Sequence, residues 1–265
     1  MNADGYLYIG VLCYLLGAVS FLLPFRNIRS YLYIFSTAGA LAFAVFGLFT
    51  SWGLPVQIPS FPISSLFAFV FRGDALSGFF MIIISVLAFA VSIFSVGYAR
   101  ELRNNGLLGF LFNLFILTMY AVVLSGNIIT FLISWEAMSV VSYFLVSFDR
   151  DEESAKAGLL YAVMTHIGTA FIIALFLILY SCTGQMDFWG IKSASAQIPD
   201  SAKAIVFVFS TIGFGMKAGI VPLHTWLPRA HPAAPSNISA LMSGVMIKTG
   251  IYGFIRICMD LMGPV

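Results

Sequence analysis

The sequence from Gly213 to Pro232 reads GFGMKAGIVPLHTWLPRAHP, and it begins as an apolar stretch with Lys217 in its middle. Pro222, five residues further on, has no N–H, and its ring crowds the carbonyl of the residue four positions earlier. Gly219 loosens the same turn. We therefore expect a helix that breaks close to Lys217. Within a bilayer, such a break is tolerated only where the backbone faces protein or a wet cavity.

The composition of the whole chain is typical of a polytopic membrane protein. Of its 265 residues, 60% are hydrophobic and 9% are charged, against roughly 25% charged residues in ordinary soluble domains. Its mean hydropathy is +0.99. So much apolar surface cannot be buried in one soluble core, so the lipid bilayer is the first expected partner. The net charge of +2 gives no basis for binding nucleic acid.

The apolar stretches predict an all-α fold of about eight transmembrane helices, because each crossing of the hydrocarbon layer needs about 20 residues. They lie near residues 5–24, 31–52, 76–99, 107–125, 128–147, 156–181, 202–231 and 237–262. The seventh is expected to be discontinuous. Three prolines in the segment 53–65 predict an extended or hairpin-like connection there. We divide the chain into residues 1–106, with three N-terminal helices and this loop, and residues 107–265.

The loops indicate an orientation in the membrane. Loops after odd-numbered spans carry seven lysines and arginines, and loops after even-numbered spans carry three. Since basic loops stay on the cytoplasmic side, both termini are expected outside, in a prokaryotic inner membrane. Arg256, near the outer end of the last span, is expected to extend its side chain to the interface.

Three charged residues within the spans are the candidates for function: Glu136, Lys217 and Lys248. An ionisable residue at membrane depth is a functional hypothesis by default, and a carboxylate there costs about 2.5–3.5 kcal/mol on insertion scales. Glu136 therefore needs a cation or water, and Lys217 is its natural partner. Lys248 offers a second proton station. His166 and His224 could extend the path, because histidine is the side-chain type that exchanges protons at physiological pH.

A purely structural role is the alternative for these groups. A Glu136–Lys217 pair could simply fix the packing of two helices. That explanation accounts poorly for Lys248, because we expect Glu136 to be the only carboxylate within the spans. His166 alone could equally be a hydrogen-bonded packing residue.

No cofactor is predicted for this chain. Its three cysteines lie in or beside apolar spans and lack the spacing of zinc or iron–sulfur ligands. We expect them to be small packing residues. They are Cys13, Cys182 and Cys258.

The motifs around the three charges resemble those of a known family. They are Trp135-Glu136-x-Met-Ser-x-x-Ser-Tyr143, the run from Lys217 to His231, and Ser-Gly-Val-Met-Ile-Lys248-x-Gly-x-Tyr-Gly. In this order they are similar to the antiporter-like, proton-translocating membrane subunits. Such subunits occur in respiratory complex I, in energy-converting hydrogenases of the formate hydrogenlyase type and in Mrp antiporters. The sequence Trp-Glu-Ala-Met-Ser is most similar to that of the hydrogenase branch.

The resemblance implies roles for individual residues. It implies that Glu136 pairs with Lys217, that Lys248 continues a hydrated path, and that the helix is discontinuous at Pro222. It also implies that residues 107–265, spans 4–8, form one five-helix antiporter-like repeat that opens to the cytoplasm. Members have two such repeats, inverted with respect to each other. We therefore expect this chain to carry the first half only, as a natural split subunit or a truncation.

The function expected from this resemblance is proton translocation through a cytoplasmic half-channel of a redox-driven complex. The chain itself is expected to be non-catalytic. Its expected partners are a membrane subunit that supplies the second repeat and peripheral redox subunits. One alternative is an Mrp-type cation/proton antiporter subunit, which would exchange sodium without a redox donor. Another is a structural membrane subunit that conducts nothing, in which neutral substitutions at Lys217 and Lys248 would leave activity unchanged.

Overall fold

The computed structural model describes residues 3–22, 26–53, 56–58, 61–62, 68–102 and 104–263, and long helices dominate them. The helices are α1 (Ala3–Ala18), α2 (Arg26–Tyr31), α3 (Tyr33–Ser51), α4 (Ala75–Tyr98), α5 (Asn105–Val123), α6 (Ile128–Val146), α7 (Glu152–Thr183), α8 (Phe188–Ser193), α9 (Asp200–Ala218), α10 (Leu227–Ala233), α11 (Ser236–Leu241) and α12 (Ile247–Ile255).

Seven helical segments of the described residues are long and apolar enough to cross a membrane. The first is Arg29–Ser51, which includes α3, and the last is Ser236–Leu261, which includes α11 and α12. The first expected span, near 5–24, is the shorter apolar helix α1 followed by a 3₁₀ turn, Val19–Leu22. Residues 23–24 of that expectation lie outside the described part. The chain is therefore an integral, nearly all-α membrane protein.

Short strands form the connection between α3 and α4, where prolines predict an extended segment. Strand β1 (Val56–Gln57) pairs antiparallel with β4 (Arg72–Gly73), and β2 (Phe61–Pro62) pairs antiparallel with β3 (Ala68–Phe69). Residues 54–55, 59–60 and 63–67 of this connection lie outside the described residues.

Backbone bridges tie this connection to two others at the same end of the bundle. Phe71 pairs with Ser125 in the α5–α6 turn, and Asn127 of that turn pairs with Asp187, which precedes α8. We call this end, with strands β1–β4, residues 125–127 and α8, the hairpin end. The helix ends that meet here carry the polar groups considered below.

Close helix contacts depend on glycine. A Cβ added at Gly213 of α9 would lie 2.9 Å from the carbonyl oxygen of Gly168 in α7. One added at Gly250 of α12 would lie 3.0 Å from the carbonyl oxygen of Phe214. Small residues at such contacts let membrane helices approach closely. Helix α9 is thereby held between α7 and α12.

Helix α9 ends one residue after Lys217, as the proline spacing predicts. Gly219 follows it with φ +69°, a left-handed conformation that glycine adopts without strain. The chain then runs through a turn that contains Pro222 before α10 begins. The carbonyl of Met216 accepts a hydrogen bond from the indole Nε1 of Trp226 at 2.7 Å. The protein itself thus supplies a hydrogen-bond partner for a backbone carbonyl at the break.

The last span also departs from a regular α-helix. A π-helical segment, Met242–Met246, separates α11 from α12, and a second one, Arg256–Leu261, follows α12. π-Helical turns inside α-helices occur frequently at functional sites. Here they alter the backbone just before Lys248 and at Arg256.

Candidate functional site

Lys217 occupies the last turn of α9 and is 1% exposed. Its Nζ donates hydrogen bonds to Ser139 Oγ of α6 at 3.0 Å and to Tyr161 Oη of α7 at 2.6 Å. Both acceptors are neutral. A buried charge is costly unless it is paired and hydrogen-bonded. The charges and water near this lysine therefore decide how firmly it holds its proton.

The two acceptors belong to a small polar network. Ser142 Oγ and Tyr161 Oη lie 2.5 Å apart, and Ser139 Oγ donates to the carbonyl of Trp135 at 3.0 Å. The Lys217 ammonium also lies 5.8 Å from the centre of the Trp135 ring. The network joins α6, α7 and α9, and its members are buried.

Glu136 does not form the direct ion pair with Lys217 that the sequence predicts. Among the described residues its ion-pair partner is His166 of α7, with 3.3 Å between Glu136 Oε2 and His166 Nε2. His166 Nδ1 lies 2.8 Å from the carbonyl oxygen of Ala162. The other carboxylate oxygen, Oε1, is buried and has no hydrogen-bond partner in the described residues. The reason for the difference is that Ser139, one turn from Glu136, takes the place beside the ammonium.

Lys248 is half-buried, and its Nζ donates to the carbonyl of Ser243 at 2.6 Å. Ser243 lies in the π-helical segment, in which backbone hydrogen bonds span five residues. Lys248 therefore binds its ammonium to the backbone of this segment. Tyr161 Oη, which binds Lys217, also lies 3.5 Å from Met246 Sδ of the same segment.

His224 lies in the turn after the break, half-buried, and its Nδ1 has no hydrogen-bond partner in the described residues. His231 of α10 contacts Ser239 Oγ of α11 at 3.0 Å through Nδ1. Burial lowers the pKa of His231. Among the described residues, no hydrogen bond or ion pair joins His224 to Lys217 or Lys248. The structure therefore brings Lys217 to α6 and α7 but leaves His224 apart from it.

Two expectations about the last span are wrong. Arg256 does not extend to the interface, because its side chain is 5% exposed and forms ion pairs with Asp74 and Asp260. Asp260 is also a second carboxylate within that span, Ser236–Leu261. The sequence pattern missed this because Asp260 lies near the end of the apolar stretch, where a charge is usually solvated.

Sequence reasoning also missed the direct partners of Lys217. Ser139 lies three residues after Glu136, a helical spacing that could have indicated it. Nothing in the sequence marks Tyr161, because its contact with Lys217 joins residues 56 positions apart. Within the described ranges, no group of three or more His, Cys, Asp or Glu side chains could hold a metal ion.

Residues 125–265 match the family described as "NADH:quinone oxidoreductase/Mrp antiporter, TM". This region contains Glu136, Lys217 and Lys248 together with the network around them.

Curated relatives come from three kinds of complex. Hydrogenase-4 component B of Escherichia coli K12 is 44% identical over 193 residues, 72% of this chain and 28% of its own length. The putative antiporter subunit mnhA2 of Staphylococcus aureus JH9 is 33% identical over 70% of this chain and 24% of its own. NADH-quinone oxidoreductase subunit M of Rickettsia typhi is 28% identical over 71% of this chain and 38% of its own. The chain thus spans well under half the length of these relatives.

Solved structures share the fold. A chain of the archaeal membrane-bound sulfane sulfur reductase superposes with a TM-score of 0.76 over 98% of this chain and 54% of its own, at 19% identity. A chain of the Mrp complex from Dietzia sp. DQ12-45-1b gives a TM-score of 0.80 over 97% of this chain and 29% of its own, at 20% identity.

Proposed function

Because the chain belongs to the NADH:quinone oxidoreductase/Mrp antiporter transmembrane family, we propose that it supplies a proton half-channel in a redox-driven membrane complex. The observation that carries the proposal is the environment of Lys217. It is a buried cation at a helix break, held by two neutral oxygens and with no carboxylate within ion-pair distance among the described residues. A lysine that only fixed helix packing would be expected to have a bound counter-ion.

The proposed central step is proton exchange at Lys217. The hydroxyls of Ser139 and Tyr161 fix its Nζ, so that the proton it carries has a defined position. Glu136, one turn away on α6, supplies the nearest negative charge on that helix. A change in the protonation of Glu136 or of its contact His166 would alter the field at Lys217. Electron transfer elsewhere in the complex would act through such a change.

Lys248 is the proposed next station. Tyr161 connects the two lysines, since its hydroxyl binds Lys217 and contacts the π-helical segment whose Ser243 carbonyl holds Lys248. A hydrated route past Tyr161 would therefore carry a proton from one lysine to the other. The buried Nδ1 of His224 has no hydrogen-bond partner among the described residues, so it would accept a hydrogen bond from water on the cytoplasmic side of the break.

We propose that this chain acts as one subunit of a larger assembly. Residues 1–106 and the five-helix repeat 107–265 would act beside another membrane subunit that supplies the second repeat. Peripheral redox subunits would provide the driving reaction, so this chain would need no cofactor of its own. The proposed location is a prokaryotic inner membrane with both termini outside.

The test is donor-driven proton uptake by the complex that contains this chain, purified and reconstituted in vesicles. Lys217→Ala should abolish uptake while the subunits still co-purify. Lys203→Ala is the matched control, because Lys203 lies near the start of the same helix, away from the network. Wild-type uptake in the Lys217→Ala complex would contradict the proposal.

A second candidate is a subunit of a cation/proton antiporter. It is favoured by the 33% identity to the putative antiporter subunit and by the TM-score of 0.80 with the Mrp complex. Sodium-dependent proton exchange in vesicles without any electron donor would support it.

A further inference from the structure

Three polar side chains follow Lys248 toward the hairpin end at intervals of four residues. They are Tyr252, Arg256 and Asp260, and this spacing places them with Lys248 on one face of the last span. Asp260 is partly exposed and pairs with Lys192 of α8. This face thus leads from Lys248, the proposed second proton-binding group, to the opposite side of the membrane. A proton on Lys248 could leave the protein along it unless a group on this face stops the transfer.

Arg256 occupies the middle of this face, and all five of its N–H groups are used. Its Nε donates to Tyr252 Oη at 3.1 Å, and its two Nη atoms donate to Asp74, Asp260 and Ser77 at 2.6–3.0 Å. A guanidinium has five donors and no acceptor, and it does not release its proton in proteins.

The hydrogen bonds of the Tyr252 hydroxyl also have a fixed direction. Its hydroxyl accepts from Arg256 and donates to the carbonyl of Val123 at 2.9 Å, and the side chain is fully buried. Its one proton is therefore committed to a backbone oxygen, and the neighbour that follows it can only donate. A hydrogen-bonded chain that conducts protons needs each member to accept as well as to donate, and here that alternation stops.

The other side of Arg256 is open to water. Asp74 and Asp260 are 40% and 23% exposed, and with Arg72 and Lys192 they line a cavity of about 130 Å³ at the hairpin end. Both carboxylates could exchange protons with this water. Along this face Arg256 lies between these carboxylates and Tyr252, and the hydroxyl of Ser77, which accepts a hydrogen bond from Arg256, lies beside it.

We propose that Arg256, locked by Asp74, Asp260, Ser77 and Tyr252, is a proton barrier that closes the half-channel at the hairpin end. The inference rests on the proposed function, since a barrier matters only if protons reach Lys248. Its role is to keep a proton in the complex until the outward path elsewhere receives it. A purely structural clamp would use the same contacts, so the test must separate the two.

The test is passive proton leak in vesicles that contain the whole complex, with no electron donor and an imposed pH difference. Arg256→Lys keeps the positive charge and an ion pair with Asp74, but an ammonium on lysine can release its proton. We expect Arg256→Lys and Arg256→Gln both to leak severalfold faster than the wild type. Arg72→Gln, which removes a cation from the rim of the same cavity, should stay tight.

A double variant identifies the route. Arg256→Lys combined with Lys248→Ala should return the proton leak rate to that of the wild type, because the leak would run through Lys248. A wild-type leak rate in the Arg256→Lys complex would overturn the proposed barrier and leave Arg256 as a structural clamp. This result decides the question even if Arg256→Gln fails to assemble. A leak that persists without Lys248 would also overturn it. Donor-driven uptake in the Lys217→Ala complex is scored separately, so failure of the barrier and failure of the proposed function give different results.

Discussion

Tyr161 Oη lies 2.6 Å from Lys217 Nζ and 2.5 Å from Ser142 Oγ, so one buried tyrosine joins the lysine of α9 to a serine of α6. A tyrosine hydroxyl can accept one hydrogen bond while donating another. In this position it accepts from the lysine and donates onward. The contact therefore fixes the ammonium and also gives its proton a neighbour.

Tyr161→Phe should slow donor-driven proton uptake while leaving assembly intact. A hydrogen bond to a charged group is worth about 1.5–3 kcal/mol, so losing it implies a fall of roughly tenfold or more. Initial rates of uptake in vesicles measure this. Tyr180→Phe, at an exposed tyrosine of the same helix, is the control and should be neutral. Unchanged uptake in Tyr161→Phe would remove Tyr161 from the path.

Glu136 and His166 should act as one unit. Their side chains lie 3.3 Å apart, and among the described residues Glu136 has no other ion-pair partner. Glu136→Gln should strongly reduce proton uptake, because it removes the negative charge near Lys217. Adding His166→Gln should then cost little more, since residues in one network are not additive. Uptake rates of the two single variants and the double variant measure the coupling, and strictly additive losses would contradict it.

The close approach of α7 and α9 should not tolerate a methyl group. A Cβ at Gly213 would meet Ile172 Cγ1 at 2.7 Å and the Gly168 carbonyl oxygen at 2.9 Å. Gly213→Ala should therefore destabilise the chain by about 1–3 kcal/mol, the usual cost of overpacking, and displace Lys217 from Tyr161. Unfolding by SDS, followed by tryptophan fluorescence, gives the stability.

Gly97→Ala in α4 is the matched control, because a Cβ there would meet nothing within 4 Å. It should be neutral or stabilise the helix by up to about 1 kcal/mol. Equal destabilisation by both variants would mean that the contact with Gly168 is not what makes Gly213 sensitive.

Asp74 should make stability depend on pH in acid. Burial raises the pKa of its carboxyl, but the hydrogen bonds and charge of Arg256 and the bonds from Ser77 outweigh this, so the pKa lies below its usual value. A depressed pKa adds stability above the unfolded-state value of about 3.9, and this stability is lost as pH falls through the folded-state pKa.

Asp74→Asn tests this dependence. Asparagine still caps α4, but it cannot form the ion pair with Arg256, so we expect a loss on the order of 1 kcal/mol at neutral pH. Below about pH 4 the difference between variant and wild type should shrink. SDS unfolding at several pH values measures it, and a difference that stays constant down to pH 3 would contradict the assignment.

The sequence by itself determined the membrane class, the positions of the long spans and the break after Lys217. These features depend on neighbours along the chain. Apolar runs must cross about 30 Å of hydrocarbon, and Gly219 with Pro222 ends α9 through local backbone geometry. The motifs around Glu136, Lys217 and Lys248 predicted the family, and residues 125–265 match it. Their roles in proton transfer stay a prediction.

Only the tertiary structure decided which groups meet. Tyr161 reaches Lys217 across 56 residues, and Asp74 reaches Arg256 across 182, separations over which no periodicity carries information. Glu136 meets His166 instead of Lys217 because the rotation of α6 points Ser139 at the ammonium. The physical reason is that composition and spacing set which segments are buried in the membrane, whereas the packing of one helix face against another sets the partner of each buried charge.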